Sequence, residues 1–60
     1  MEIMQNLTVE RLRKMNDIEV LMDNDKLEWT VSNIWDRLER EDFDNDNQRN
    51  EWLYNKGFMI

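Results

Sequence analysis

Three aspartates at alternate positions, Asp42, Asp44 and Asp46, form the sequence's closest approach to a site with chemistry of its own. A helix–loop–helix calcium site takes oxygen ligands at its first, third and fifth positions, a glycine at the sixth and a bidentate acid at the twelfth. Counted from Asp42, the sixth position is Asn47 and the twelfth is Leu53; Glu51 is an acid, but it falls at the wrong step. The closing ligand is missing, so the run reads as a solvated loop ending in a helix cap, and neither a metal nor a cofactor is expected. The chain has no His and no Cys, which removes imidazole and thiolate catalysis and the usual zinc ligands. Carboxylate pairs remain, yet acid–base work by such a pair needs a concave, partly desolvated pocket that separates their pKa values. A chain of 60 residues rarely has room for one, so no enzymatic activity is expected.

What remains is a surface. Fourteen Asp and Glu stand against 8 Lys and Arg, for a net charge of −6 and a pI near 4.4. Phosphate backbones and anionic lipid repel such a chain, and basic proteins are its natural electrostatic partners. The acids crowd at Glu39, Glu41, Asp42, Asp44 and Asp46. Tryptophan is enriched among the residues that dominate binding energy. Of the three, Trp35 and Trp52 sit with other apolar residues and read as core, whereas Trp29 falls outside the apolar stripe around it and reads either as an interface anchor or as core buried against the first helix. The expected partner-binding set is therefore Trp29, Glu39, Glu41, Asp42, Asp44 and Asp46. Arg11, Arg13 and Lys14 form the one basic cluster, read as a solvated face pairing with Glu10 and Asp17, or as a receiver for the acidic loop of a second copy.

These residues must be positioned by a small fold. Hydrophobic residues make up 40% of the chain, too many for a solvating acidic tail. There is no proline, no repeat and one glycine, Gly57, so a single domain over residues 1–60 is expected. Two clusters of turn-forming residues, Asp23–Asn24–Asp25 and residues 42–47, cut the chain into three segments. Thr8 caps a first helix with Leu12, Met15, Ile18 and Met22 at three- and four-residue steps. Asp25 and Glu28 suggest an acidic capping box before a stripe of Leu27, Val31, Ile34, Trp35 and Leu38. Asp46 or Asn47 caps a third helix, closed by Lys56 and Gly57. The expectation is an all-α three-helix unit with helices at about 8–23, 26–40 and 46–56. Phe43 and the tail Phe58–Met59–Ile60 are apolar ends that either close the bundle or dock elsewhere.

Residues 30–39, Thr-Val-Ser-Asn-Ile-Trp-Asp-Arg-Leu-Glu, resemble the recognition helix of winged helix-turn-helix repressors, which would imply a DNA-binding regulator. Residues 22–26 lack that motif's small residue and turn glycine, and Asp36, Glu39 and Glu41 offset Arg37 and Arg40. An amphipathic core helix accounts for the same residues. In size and charge the chain is similar to small acidic inhibitors encoded by bacteriophages, whose carboxylates occupy grooves made for nucleic-acid phosphates. The expected function is an inhibitor or adaptor that binds a basic protein. A structural or regulatory subunit docking through its Trp and Met surface, and a small DNA-binding regulator, are the alternatives. With Glu2 near the start, no basic leader and no apolar run of about 20 residues, a cytoplasmic protein is expected.

Overall fold

The computed structural model describes residues 5–60; the start of the stretch read for a leader, residues 1–4, lies outside them. The chain is not all-α. Its order is a short helix α1 (Val9–Arg13), strands β1 (Val20–Met22) and β2 (Glu28–Thr30), then helices α2 (Val31–Arg40) and α3 (Asp46–Lys56). The expected helix over 8–23 stops at Arg13, and the expected helix over 26–40 begins at Val31. Between them an antiparallel hairpin pairs Val20 with Thr30, Leu21 with Trp29 and Met22 with Glu28.

Local chemistry explains the correction. Thr8 does cap α1, its hydroxyl accepting from the Arg11 N–H. The helix then meets Asn16 and Asp17, and a turn closes with the Glu19 N–H donating to the Asn16 carbonyl at 3.0 Å. Ile18 and Val20 are β-branched, which lowers helix propensity slightly and favours extended backbone. Ile18 and Met22 lie 84% and 52% exposed rather than on a buried helical stripe. Further on, the Asp23 carboxylate accepts from the backbone N–H groups of Asp25 at 2.9 Å and Leu27 at 3.0 Å. Asp23 rather than Asp25 therefore organises this segment, shaping a hairpin turn where an acidic capping box was expected. Lys26 takes a positive φ of 64° in that turn.

Thr30 caps α2 by accepting from the Asn33 N–H, and Asn45 caps α3 by accepting from the Gln48 N–H, one residue before the expected cap. Gly57 ends α3 at φ 78°, the left-handed conformation that favours glycine. The core gathers Leu7, Val9 and Leu12 from the first segment, Val31, Ile34 and Leu38 from α2, Leu53 from α3, and Phe58. Phe43 and Ile60 pack against it, so most of the apolar ends close the fold. The carboxy-terminal segment pairs with residues 5–7 through an isolated antiparallel bridge: Gln5 and Ile60 exchange backbone hydrogen bonds at 3.0 and 2.9 Å, and the Leu7 N–H donates to the Phe58 carbonyl at 3.1 Å. No helix among the described residues is long and apolar enough to cross a membrane.

Candidate functional site

Two places carry polar or aromatic groups in excess of what packing needs. The first is the connection between α2 and α3. Glu39 lies in the last turn of α2, Glu41 is its C-cap, and Asp42, Asp44 and Asp46 follow into the first turn of α3. Carboxylates at a helix C-terminus face the negative end of its dipole and do not favour the helix. Arg37 answers Glu41 across one turn at 3.6 Å, and Arg40 pairs with Asp36 at 3.1 Å. Asp46 is taken by two arginines, Arg49 at 2.9 Å and Arg13 of α1 at 3.2 Å. The cation that the sequence assigned to α1 pairs or to a neighbouring copy thus fastens α1 to α3 within one chain. Glu39, Asp42 and Asp44 are exposed and have no ion pair among the described residues. Asp42 holds a positive φ of 53°, and the Asp44 N–H donates to the Gln48 side chain at 2.9 Å. No cluster of metal-ligating side chains occurs among the described residues.

The second place is the inner face of the hairpin. Trp29 is the partner of Leu21 across the strands, and both are half-buried against the core. Its ring stands edge-on to Trp52, with centroids 6.0 Å apart, and to Phe58 at 5.8 Å. The indole N–H donates to the second oxygen of Asp23 at 2.9 Å. Lys56 lies over the rings of Trp29 and Trp52 at 5.5 and 5.6 Å, and Arg37 is 6.0 Å from the Trp29 centroid. Trp29 is therefore the hub of an aromatic cluster with two cations on it, rather than a side chain held clear of the fold. Sequence reasoning left it off a helical stripe because the stripe was drawn with a period of 3.6; in a strand, alternation turns it inward.

Asp23 is the residue that sequence reasoning passed over. It is the one buried charged side chain among the described residues, and its carboxylate accepts three hydrogen bonds. Burial alone pushes its pKa up, but the Leu27 N–H, the Trp29 indole, the Asp25 N–H and the nearby Lys56 charge outweigh that and hold it below 3.8. The available signal was an Asp followed two and four residues later by turn positions, the pattern of a side chain that mimics a backbone turn. Its chemistry is structural, since every close donor is already engaged. Beside the hub, a shallow groove of about 410 Å³ runs between β2 and α2, lined by Leu27, Glu28, Trp29, Asn33 and the paired Asp36, Arg37 and Arg40.

The site residues expected from sequence thus separate. Glu39, Glu41, Asp42, Asp44 and Asp46 share one connection, whereas Trp29 belongs to the hairpin and its aromatic cluster. No protein-family model matches the chain, and comparisons with curated proteins and with solved structures found no significant match.

Proposed function

We propose that the chain is a small acidic protein-binding module that engages a basic protein, as an inhibitor or adaptor would. The observation that carries this is the set of exposed carboxylates at Glu39, Asp42 and Asp44, which have no ion pair among the described residues while Glu41 and Asp46 are paired. Acids at the C-terminal end of α2 face the negative end of its dipole, and apart from the Glu41 pair with Arg37 the helix gains little from them, which supports a role outside the fold. Such charges raise the rate of encounter with a basic surface and lose that effect within about 10 Å at 0.1 M salt. A DNA-contacting role for α2 gains no such support, because Arg37 and Arg40 are held by Glu41 and Asp36. Docking of a larger assembly through tryptophan gains little either, since Trp29 and Trp52 spend their edges on each other and on Phe58.

The test is capture from a cell extract by the intact chain over a range of salt, beside the Glu39→Gln, Asp42→Asn, Asp44→Asn triple variant. Captured proteins should be basic, and both salt and the triple variant should slow their association. Capture of proteins no more basic than the extract, insensitive to salt, would refute the proposal.

A further inference from the structure

Antiparallel pairing leaves β1 with one edge open. The Asp23 N–H donates to the Leu27 carbonyl at 3.1 Å, and the Val31 N–H donates to the Glu19 carbonyl at 2.9 Å. With Leu21 opposite Trp29, the residues of the first strand that bond to β2 are therefore 19, 21 and 23. The N–H and C=O groups of Val20 and Met22 point the other way. The sheet has only β1 and β2 among the described residues, so no described strand pairs with the outer edge of β1.

The side chains along this edge are apolar. Val20 and Met22 are 56% and 52% exposed, and Ile18 in the preceding turn is exposed further. Folded proteins blunt an open edge with lysine, proline, a bulge or shortness. β1, Val20–Met22, has neither lysine nor proline and is blunted by its shortness and by the charged residues that flank it. The two ends of the edge are acidic: Asp17 and Glu19 before it and Asp25 in the hairpin turn, all exposed, with Lys26 the one cation in that turn; the Glu19 carboxylate also accepts from the Asn16 N–H at 2.8 Å. The platform beneath is fixed, because Asp23 and Trp29 bind the turn to the aromatic cluster and the Asn24 N–H donates to the Lys56 carbonyl at 2.8 Å.

We propose that the outer edge of β1 is a strand-addition site that takes an extended segment of a partner protein, apolar at its centre and cationic at its ends. This rests on the protein-binding reading above and names where and how the basic partner is held. Backbone hydrogen bonds to Val20 and Met22 supply the pairing, and alternate apolar side chains cover the exposed valine and methionine. The end cations meet Asp17 and Glu19 on one side and Asp25 on the other. A second copy of the chain is disfavoured as occupant, because antiparallel pairing of β1 with itself brings these same carboxylates together.

The experiment uses the intact chain, labelled with nitrogen-15, and a short peptide with lysines at both ends and valine alternating with threonine between them. At saturation the Val20 and Met22 amides should exchange with solvent about tenfold more slowly or less often still, because they have become hydrogen-bonded. A peptide of the same sequence with alternate nitrogens methylated should fail to bind. Val20→Lys combined with Met22→Lys, at exposed positions that leave the helical spectrum unchanged, should weaken binding about tenfold. Val20→Pro, which removes one outward N–H and no bond to β2, should weaken it as well. Peptide-induced changes confined to Glu39, Asp42 and Asp44, with unchanged exchange at β1, would overturn the strand-addition site and leave the basic-partner proposal standing. No binding of the peptide anywhere at low salt would overturn both. Protection of Val20 and Met22 that rises with protein concentration in the absence of peptide would assign the edge to a second copy and overturn the proposal.

Discussion

Replacing Phe58 with leucine isolates what the aromatic cluster contributes. Phe58 is fully buried, stands at 87° to the Trp29 ring at 5.8 Å, and lies tilted against Trp52 at 6.2 Å. Leucine keeps an apolar side chain at the site and removes both ring contacts. Aromatic pairs of this kind are worth about 0.5–1.5 kcal/mol each beyond the area they bury, so the two together amount to about 1–3 kcal/mol. A chain of this length is stable by roughly 3–9 kcal/mol in all. Each kcal/mol lowers the melting temperature of so small a domain by about 4–8 °C, so Phe58→Leu should melt roughly 10 °C below wild type. Thermal unfolding followed by circular dichroism and by tryptophan fluorescence measures this directly. The Phe58→Ala variant, at about 3–5 kcal/mol, should leave little folded protein. A Phe58→Leu melt within about 2 °C of wild type would refute the reasoning. The cluster would then contribute no cohesion, and Trp29 would be available to a partner as the sequence alone suggested.

Leu38→Asp, which places a charge at a position only 1% exposed, should abolish cooperative unfolding by circular dichroism; a normal melt would mean that α2 buries another face. Gly57→Ala should cost about 1–2 kcal/mol in a denaturant titration, because alanine is strained at φ 78° and its Cβ would run into the Asn24 side chain. Asp23 has a folded pKa below its unfolded value, so the stability it contributes is present above about 3.8 and is lost as pH falls through the lowered value. Asp23→Asn should therefore be less stable than wild type at neutral pH yet lose less stability on acidification below about pH 4, which pH-dependent melts will show. Millimolar calcium should leave the melting temperature unchanged, since Leu53 stands where the closing ligand belongs; a calcium-specific rise absent with magnesium would restore the calcium loop.

The start of the first helix and the ends of the second and third were legible in the sequence; the end of α1, the start of α2 and the hairpin between them were not. Thr8 and Gly57 act by local rules, a hydroxyl accepting from the next turn and a glycine taking positive φ, and both perform as their types dictate. The buried face of α2, Val31, Ile34 and Leu38, follows from its 3.6-residue period. Residues 18–30 carry apolar side chains that satisfy two periods at once. Leu12, Met15, Ile18 and Met22 fit a helix, while Val20, Met22, Leu21 and Trp29 fit two strands. What decides between them is a set of contacts distant in sequence: Asp23 to Trp29, Trp29 to Trp52 and Phe58, and Asn24 to Lys56. A short apolar run cannot be assigned by periodicity when its tertiary partners are unknown. The acidic residues were legible as a charge cluster, but the division into paired and unpaired carboxylates depends on Arg13 reaching Asp46 from α1.

The division of labour between aromatics and carboxylates follows from size. A domain of this length buries only about 60% of the surface its unfolded chain exposes, and it has no disulfide to restrain that chain. Large rings are then needed inside, and two of the three tryptophans are held by Phe58 and each other. What is left outside includes charged side chains and a strand edge whose N–H and C=O groups water can satisfy, together with the apolar side chains of Ile18, Val20 and Met22 beside that edge. On the proposal made above, a surface built from these charges and this edge would capture a partner quickly through its charge and retain it through backbone hydrogen bonds. Its affinity should fall steeply with salt through the association rate, while dissociation responds to the β1 edge, and Trp29 acts on both only by holding the hairpin in place.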